Sequence, residues 1–380
     1  MKPQYTNTSY VYTMNARPGL VKEDYVRRTL ALAIAVTAAL VMGGAAAATA
    51  GVQPTSTTAT TSNAGIPALV NPATDLAPHS PGPEQSFNDS AYFTSLIKAN
   101  GHSYGVLVHT ILFPNMDKRL LTLALTDITA GTHQVLDTEV AASDYTWGPT
   151  GIDIHTPNVS WTGDAQTMSV QATAPWGSLQ FTLRAQGPAL EYAGSGYSPV
   201  FGAPSHEFAL PAMATSGTLT IAGVPHPVSG TTWMDRQWFS VDQLYTDPAM
   251  RWTWMNLSLP NGDKIAIWDA ISSATENAWA TVLHPDGSYD VTAVTPLATG
   301  ASGYWTSPVS GAIYPTCWQV TIPSLNTRLK VNLTGTDDQE IVNSLIGPRL
   351  EGTAAFTGTY QGKSVTGQNY VEMVGHWPGT

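Results

Sequence analysis

The chain has a single cysteine, Cys317, and few charged residues. One cysteine cannot form an internal disulfide, so the fold has to be held together by a packed apolar core. Only 11% of the residues are charged, of which 16 are basic and 27 are acidic. The net charge of −11 would repel nucleic acid and anionic membrane surfaces, so neither is expected as a partner.

Common catalytic and cofactor-binding motifs are also missing from the sequence. It has no HExxH, no P-loop and no dinucleotide fingerprint, and its nine histidines lack zinc-ligand spacing. We therefore expect no cofactor and no metal. Residues 101–105 match the G-x-S-x-G nucleophile elbow, but that motif needs a strand before it and a helix after it. Here the order is reversed, which argues against a serine hydrolase.

The first 50 residues are typical of an export signal. Arg27 and Arg28 precede a 13-residue apolar run, and Ala48 and Ala50 form the small-x-small pattern of a cleavage site. We expect cleavage after Ala50 and a secreted or periplasmic protein without stable membrane insertion. An uncleaved anchor is the alternative, although the apolar run is shorter than the roughly 20 residues that span a bilayer.

The sequence after the signal predicts a linker followed by an all-β protein. Residues 51–85 are rich in Thr, Ser and Pro, which is typical of a disordered tether. From residue 86 onward, short β runs alternate with Gly-containing turns, as in β-barrels and sandwiches. The length suggests two β domains, which we place at residues 86–210 and 211–380. Only Ser90–Lys98 and Asp338–Ser344 favour helices.

Tryptophans and acids are concentrated between Gly230 and Ile271. A Pro-Asn-Gly-Asp turn at residues 260–263 indicates a hairpin, and we predict the register in which paired residue numbers sum to 523. Trp254 then faces Asp269, and Asn256 faces Ile267. Asp269 would project among apolar and indole groups.

A carboxylic acid in such surroundings can act as a proton donor. Loss of hydration raises the pKa of a buried carboxyl, so Asp269 could stay protonated near neutral pH. Indole faces stabilise a cation by about 0.5–2 kcal/mol per ring. This combination suits protonation of an electron-rich alkene, followed by capture of the carbocation by water.

A purely structural interpretation of the same residues stays open. An Asp on a sheet is commonly bonded to a nearby Arg or a backbone amide, and Trp side chains on a barrel wall commonly belong to the core. Asp235 and Arg236 are neighbours in a strand and point to opposite faces, so they do not pair directly. Each could hold a buried hydrogen-bond network.

The segment Trp233-Met234-Asp235-Arg236-Gln237-Trp238 resembles a pattern of the carotenoid 1,2-hydratase/AttH-type lipocalin-like family. Ile267-Trp268-Asp269 and residues 370–375 (Tyr-Val-Glu-Met-Val-Gly) extend the resemblance, which covers roughly residues 86–377 and is nearest to the kievitone hydratase branch. It implies two tandem lipocalin-like β domains with an apolar ligand pocket, and addition of water to an isoprenoid double bond without a cofactor.

The resemblance places the family's essential Asp on Asp269 and its essential Trp on Trp238. The family's His stands here as Arg236 and its Tyr as Ile267. Arg cannot act as a general base at ordinary pH, so a His-assisted mechanism does not carry over. Asp235 is the other carboxylate that could position water.

The sequence is compatible with three functions. The first is a secreted hydro-lyase that hydrates or dehydrates a prenyl-type alkene on an apolar, prenylated or terpenoid small molecule. Its predicted catalytic residues are Asp269 and Asp235, and its predicted substrate-binding residues are Trp233, Arg236, Trp238, Trp254, Asn256 and Trp268. The second is an apolar-ligand carrier without chemistry. The third is a lipocalin-like pericyclase, which needs pocket shape but no acid.

Overall fold

A computed structural model describes residues 61–62, 69–84, 86–201, 203–240, 247–343, 346–375 and 377. The predicted export signal and its cleavage site lie outside these residues. Within them, no helix is long and apolar enough to cross a membrane.

The described chain is almost entirely β, as predicted, and contains 3-10 turns but no α-helix. Two large, curled antiparallel sheets carry the fold, in the manner of lipocalin-like half-barrels. A short pair, β20 (Trp305–Thr306) and β21 (Ile313–Tyr314), stands apart from both.

The first sheet is built from the strands between residues 88 and 239. Its order is β5-β4-β3-β2-β14-β13-β10-β9-β8-β7-β6, with β11 and β12 also paired to β13. The strands are β2 (Asn88–Ala99), β3 (His102–Phe113), β4 (Lys118–Asp127), β5 (Thr132–Glu139), β6 (Thr146–Trp147), β7 (Ile152–His155), β8 (Val159–Gly163), β9 (Thr167–Ala174), β10 (Gly177–Ala185), β11 (Leu190–Glu191), β12 (Tyr197–Val200), β13 (Ala203–Ile221) and β14 (Val224–Phe239).

The second sheet follows in the chain and takes one short strand from before the first sheet. Its order is β1-β18-β17-β16-β15-β26-β25-β23-β22-β19, with β24 paired to β25. The strands are β1 (Thr61–Ser62), β15 (Arg251–Ser258), β16 (Lys264–Ile271), β17 (Glu276–Leu283), β18 (Tyr289–Ala293), β19 (Ala301–Ser302), β22 (Cys317–Ile322), β23 (Thr327–Leu333), β24 (Glu340–Asn343), β25 (Gly347–Tyr360) and β26 (Lys363–Val374).

The domain boundary predicted at residues 210/211 has to be corrected. It falls inside β13, which pairs with β14 along most of its length in the first sheet. The chain changes sheet between Phe239 and Arg251, so the Trp-rich segment is split: Trp233 to Trp238 belong to the first sheet, and Trp252 onward to the second.

The two predicted helices are strands, β2 and β24. Residues 88–95 of β2 are all buried, because one face packs into the first core and the other against the second sheet. A strand buried on both faces loses the polar–apolar alternation that distinguishes it from a helix in sequence.

Part of the predicted tether is packed rather than free. Leu76 is fully buried in the core of the first sheet, together with Val70. The His79 backbone N–H donates to Asp89 Oδ2 at 2.6 Å. These contacts tie the described residues 69–84 to the first sheet.

Three large apolar clusters organise the described residues, beside a small fourth cluster around Phe113. One fills the concave side of the first sheet around Trp161, and a second fills that of the second sheet around Trp318. The third joins the outer faces of the two sheets and is rich in aromatic side chains. It includes Tyr92, Tyr192, Trp233, Trp254, Trp268 and Tyr370.

Candidate active site

A cavity of about 290 Å³ lies between the two sheets, beside the aromatic cluster that joins them. Its position differs from that of a ligand pocket inside a single barrel, because each concave side is filled by its own core. The lining side chains come from both sheets, with indoles and carboxyl groups in contact with the same space.

Strand register explains which first-sheet side chains reach the cavity. Asp235 pairs with Tyr92 on the neighbouring strand, and Tyr92 pairs with His109 on the next. Directly opposed residues in adjacent strands present their side chains on the same face. His109, Tyr92 and Asp235 therefore form one row across β3, β2 and β14. The next row on this face adds Glu207 and Gln237.

The second sheet presents a matching row. Trp254 pairs with Trp268 on one side and with Glu372 on the other, and Glu372 pairs with Glu351. Trp252, two residues before Trp254, lies on the same face and also lines the cavity. Its indole N–H donates to Glu372 Oε1 at 2.7 Å.

Asp235 has one oxygen engaged and one free among the described residues. Its Oδ1 accepts from Tyr192 Oη and from Trp233 Nε1, both at 2.9 Å. Its Oδ2 is buried without a hydrogen-bond partner in the part of the chain that the structure describes. Burial raises the pKa of Asp235 to about 8, against the lowering effect of the two donors. The proton of the neutral acid therefore belongs on Oδ2.

Glu207 and Glu372 lie near this acid, and Glu351 pairs with Glu372 on the neighbouring strand. Burial, with the charges of Asp235 and Glu372, raises the pKa of Glu207 well above its usual range. Burial also raises the pKa of Glu372, although Trp252 and Arg349 oppose that rise. Burial raises the pKa of Glu351, helped by Glu372. Like charges packed so closely cannot all ionise, so the group holds protons near neutral pH.

Arg349 and His109 bring basic groups to the same cavity. Arg349 Nη2 donates to Thr122 Oγ1 at 2.6 Å, and Arg349 Nε lies 3.4 Å from Glu351 Oε1. Burial and the Arg349 charge hold the pKa of His109 well below its usual value, so its ring is neutral. The cavity thus combines protonated acids, a neutral imidazole and one guanidinium.

A family model described as AttH-like matches residues 115–376. The chain belongs to the AttH-like family. This membership confirms the resemblance found in the Trp-Met-Asp-Arg-Gln-Trp segment and downstream of it. No curated protein matches the chain significantly.

Solved structures show that this AttH-like chain shares its fold with several proteins. A protein of Nitrosomonas europaea assigned as AttH is 22% identical, with a TM-score of 0.70 over 82% of this chain and 98% of its own. Kievitone hydratase from Nectria haematococca is 23% identical, with a TM-score of 0.69 over 84% and 97%. The structure of CghA with Sch210972 is 12% identical, with a TM-score of 0.50 over 80% and 96%.

Five of the predicted site residues lie on the faces that meet between the sheets. Asp235, Trp254 and Trp268 line the cavity described above. Trp233 donates to Asp235 and, with Asn256, lines a neighbouring cavity of about 390 Å³. Asn256 Nδ2 donates to Thr94 Oγ1 at 3.2 Å, which ties the sheets together beside the site.

Asp269 does not project among the indoles, and the predicted register is wrong by one residue. Trp254 pairs with Trp268, and Asp269 pairs with Thr253. The connection from Leu259 to Asp263 contains an odd number of residues, and Leu259 N bonds to Asp263 O, so paired numbers sum to 522. A shift of one residue moves a side chain to the opposite face.

Asp269 instead enters the core of the second sheet. Its Oδ2 accepts from the backbone N–H of Leu297 at 2.6 Å. Burial raises the pKa of Asp269 to about 6, so the predicted direction is confirmed, but its environment is aliphatic core and backbone rather than a tryptophan cage. The residue is fully buried and does not contribute to the cavity lining.

Arg236 and Trp238 are also turned away from the cavity, because they occupy the even-numbered positions of β14. Arg236 pairs with Asp89 and donates to Ala77 O at 2.7 Å. Trp238 stacks on His79, with ring centroids 3.6 Å apart. Both predicted substrate-binding residues instead hold the 69–84 segment on the first sheet. Asp235 and Arg236 point to opposite faces, as predicted.

The sequence-based prediction missed most of the polar lining. Glu207, Arg349 and Tyr92 lie far from the tryptophan-rich segment and carry no local motif. Glu372 lies in a segment that contributed to the family resemblance, without a predicted role, and His109 also has no predicted role. Each is a polar residue inside a β run, and this is the feature by which the sequence could have indicated it. Only the packing of the two sheets brings these residues together.

Proposed function

We propose that this protein is a hydratase that adds water to, or removes it from, an isoprenoid or prenyl-type alkene in an apolar small molecule. The observation that carries the proposal is the free Oδ2 of Asp235, an acid with a pKa of about 8 in a cavity lined by indoles. Membership of the AttH-like family and the fold shared with kievitone hydratase support it.

Asp235 takes the role of general acid in this proposal. Tyr192 and Trp233 occupy Oδ1, which orients the carboxyl group and leaves the protonated Oδ2 toward the cavity. Trp254 Nε1 donates to Tyr192 Oη at 3.0 Å, so the second sheet also helps to position the acid. Proton transfer from Oδ2 to one alkene carbon leaves a carbocation at the other and a carboxylate on Asp235.

The cavity walls stabilise the cation, and the spent acid supplies the base. Trp252, Trp254 and Trp268 present indole rings, each worth about 0.5–2 kcal/mol to a nearby cation. The carboxylate left on Asp235 accepts the proton that the attacking water loses as the new C–O bond forms. This second transfer restores the neutral acid, and the sum is addition of one water.

The proposed acid differs from the one suggested by the family pattern. Asp269 has a raised pKa, but it faces the second core and binds backbone N–H groups. We also propose that the reaction needs no cofactor and takes place outside the cytoplasm, on the basis of the sequence. The proposed substrate class rests on the sequence and on the indole lining of this cavity.

Two conservative variants distinguish the acids. Asp235→Asn keeps an oxygen for Tyr192 and Trp233 but removes the proton, and we expect hydration of prenylated aromatics to fall about 10²–10⁴-fold. Asp269→Asn keeps the acceptor for Leu297, and we expect turnover within about threefold of wild type per folded protein. Product formation should be followed by mass spectrometry with ¹⁸O-labelled water.

Loss of activity in Asp269→Asn together with full activity in Asp235→Asn would assign the acid role to Asp269. Full activity of Asp235→Asn would end the mechanism proposed here. An apolar ligand that binds equally to wild type and Asp235→Asn, with no turnover by either, would favour the carrier function.

A further inference from the structure

Two nitrogens of Arg349, Nε and Nη1, make no hydrogen bond within the described residues, although Nε lies 3.4 Å from Glu351 Oε1. Its Nη2 donates to Thr122 and to Asp137 Oδ1 at 3.2 Å, and its Nε lies beside Glu351. Its Nη1 has no hydrogen-bond partner in the described part of the chain, although the side chain is only 3% exposed and lines the cavity. A buried charged donor without a partner costs free energy, so an unmatched nitrogen beside a cavity indicates a ligand atom.

His109 has an unused ring nitrogen in the same cavity. Its Nε2 lies 2.9 Å from Ser90 Oγ, while its Nδ1 is buried and has no partner among the residues that the structure describes. Burial, together with the Arg349 charge, lowers the pKa of the His109 ring, which keeps the imidazole neutral. In either tautomer Nδ1 can pair with a hydroxyl oxygen, because a hydroxyl both donates and accepts.

Both nitrogens lie at the end of the cavity away from the proposed acid. His109 is on β3 and Asp235 is on β14, with β2 and Tyr92 between them in the same row. Two strand spacings correspond to roughly 10 Å. On the second sheet, Arg349 lies on β25, whereas Trp254 and Trp268 lie on β15 and β16. Because β26 separates β25 from β15, the guanidinium and the indoles also lie toward opposite ends of the cavity.

We propose that Arg349 Nη1 and His109 Nδ1 bind an oxygen of the substrate, a phenol, alcohol or carboxylate, and thereby fix which end of the molecule reaches Asp235. This proposal rests on the proposed function and names its substrate class: an apolar alkene that carries an oxygen group at the end remote from the double bond.

A purely structural role explains only part of the Arg349 geometry. Nη2 donates to Thr122 and Asp137, which fixes the contact between β25 and the edge of the first sheet, and Nε lies in an ion pair with Glu351 without a hydrogen bond. That role does not use Nη1 and does not involve His109. An oxygen ligand would satisfy both groups at once.

The test compares binding of three probes of similar shape: 4-prenylphenol, 4-prenylbenzoate and prenylbenzene. We expect wild type to bind at least one oxygenated probe roughly 10- to 100-fold more tightly than prenylbenzene, since hydrogen bonds to charged groups contribute that much. Titration calorimetry measures the dissociation constants without requiring turnover. A preference for the benzoate would indicate an anionic ligand group, and a preference for the phenol a hydroxyl.

Variants then assign the preference to the two nitrogens. Arg349→Met should abolish it and leave prenylbenzene binding within about threefold, and His109→Phe, which spares the ion pairs of Arg349, should reduce it. Arg119→Met, which removes an arginine paired at the surface with Asp117, is the matched control and should keep the preference. Asp235→Asn should also keep it, which separates this inference from the catalytic proposal.

Equal binding of all three probes by wild type would overturn the inference, whether or not Arg349→Met folds. A preference that survives both Arg349→Met and His109→Phe would overturn it too. If wild type shows the preference but no hydration, the proposed function fails while the binding site stands.

Discussion

The two faces of β14 carry different tasks within one short segment. The odd-numbered residues, Trp233, Asp235 and Gln237, face the second sheet, where Asp235 meets the cavity. The even-numbered residues, Arg236 and Trp238, face the other way and hold the segment of residues 69–84. The motif at residues 233–238 is continuous in sequence, but its side chains lie in two different environments, because side chains alternate between the two faces of a strand.

The contrast extends to electrostatics. On the even face, burial alone would raise the pKa of Asp89, but Arg236 and bonds from His79 outweigh burial and hold it below its usual value. On the odd face, Asp235 has no cation bonded to it, and burial raises its pKa to about 8. One face keeps its carboxyl group ionised and paired, whereas the other keeps its carboxyl group protonated and able to donate.

The largest stability effect should come from the even face. Arg236→Met leaves Asp89 buried without its guanidinium partner, and we expect a loss of about 3–5 kcal/mol in the free energy of unfolding. Urea denaturation at pH 7 measures it. Arg119→Met removes a surface ion pair and should cost no more than about 1 kcal/mol. Equal losses in the two variants would contradict the structural role of the even face.

The odd face should show its effect through pH. The folded-state pKa of Asp235 is about 8 and lies above its ordinary value of 3.8, so the folded protein binds the proton more tightly than the unfolded chain. The contribution of Asp235 to stability is therefore greatest at low pH and declines as pH rises from about 4 to 8. Asp235→Asn removes this decline.

We expect the variant to gain about 2–4 kcal/mol relative to wild type between pH 5 and pH 8.5. Urea unfolding of both proteins at the two pH values measures the difference. Asp269→Asn provides the comparison. Because the folded-state pKa of Asp269 is about 6, the stability that this variant gains relative to wild type should stop increasing near that pH. Parallel pH dependence of wild type and Asp235→Asn would show that Asp235 is ionised in the folded protein.

The smallest effect should come from single tryptophans. Trp268→Leu removes one indole from the cavity, and we expect kcat/KM to fall about 3- to 30-fold, the equivalent of one cation–π contact. Trp238→Leu removes an indole from the opposite face of β14 and should leave kcat/KM within about twofold per folded enzyme. A larger catalytic loss in Trp238→Leu would place the substrate on the even face.

Much of the fold could be predicted from the sequence, because it depends on local patterns. Alternating runs and Gly-containing turns predicted an all-β chain, and the strand period correctly placed Asp235 and Arg236 on opposite faces. The prediction failed for β2, where burial on both faces hides the alternation. It also failed for the β15–β16 hairpin, where the number of loop residues sets the register.

By itself, the sequence determined the strand content, the tryptophan-rich segment and the family to which the chain belongs, since these are properties of residue order. Only the tertiary structure decided which acid meets the indoles. Asp235 and Asp269 are both buried acids near tryptophans in the sequence, and the side of the sheet that each one faces depends on pairing and on sheet packing. Those long-range contacts brought Glu207, Arg349 and His109 into the same cavity as Asp235 and left Asp269 in a separate core.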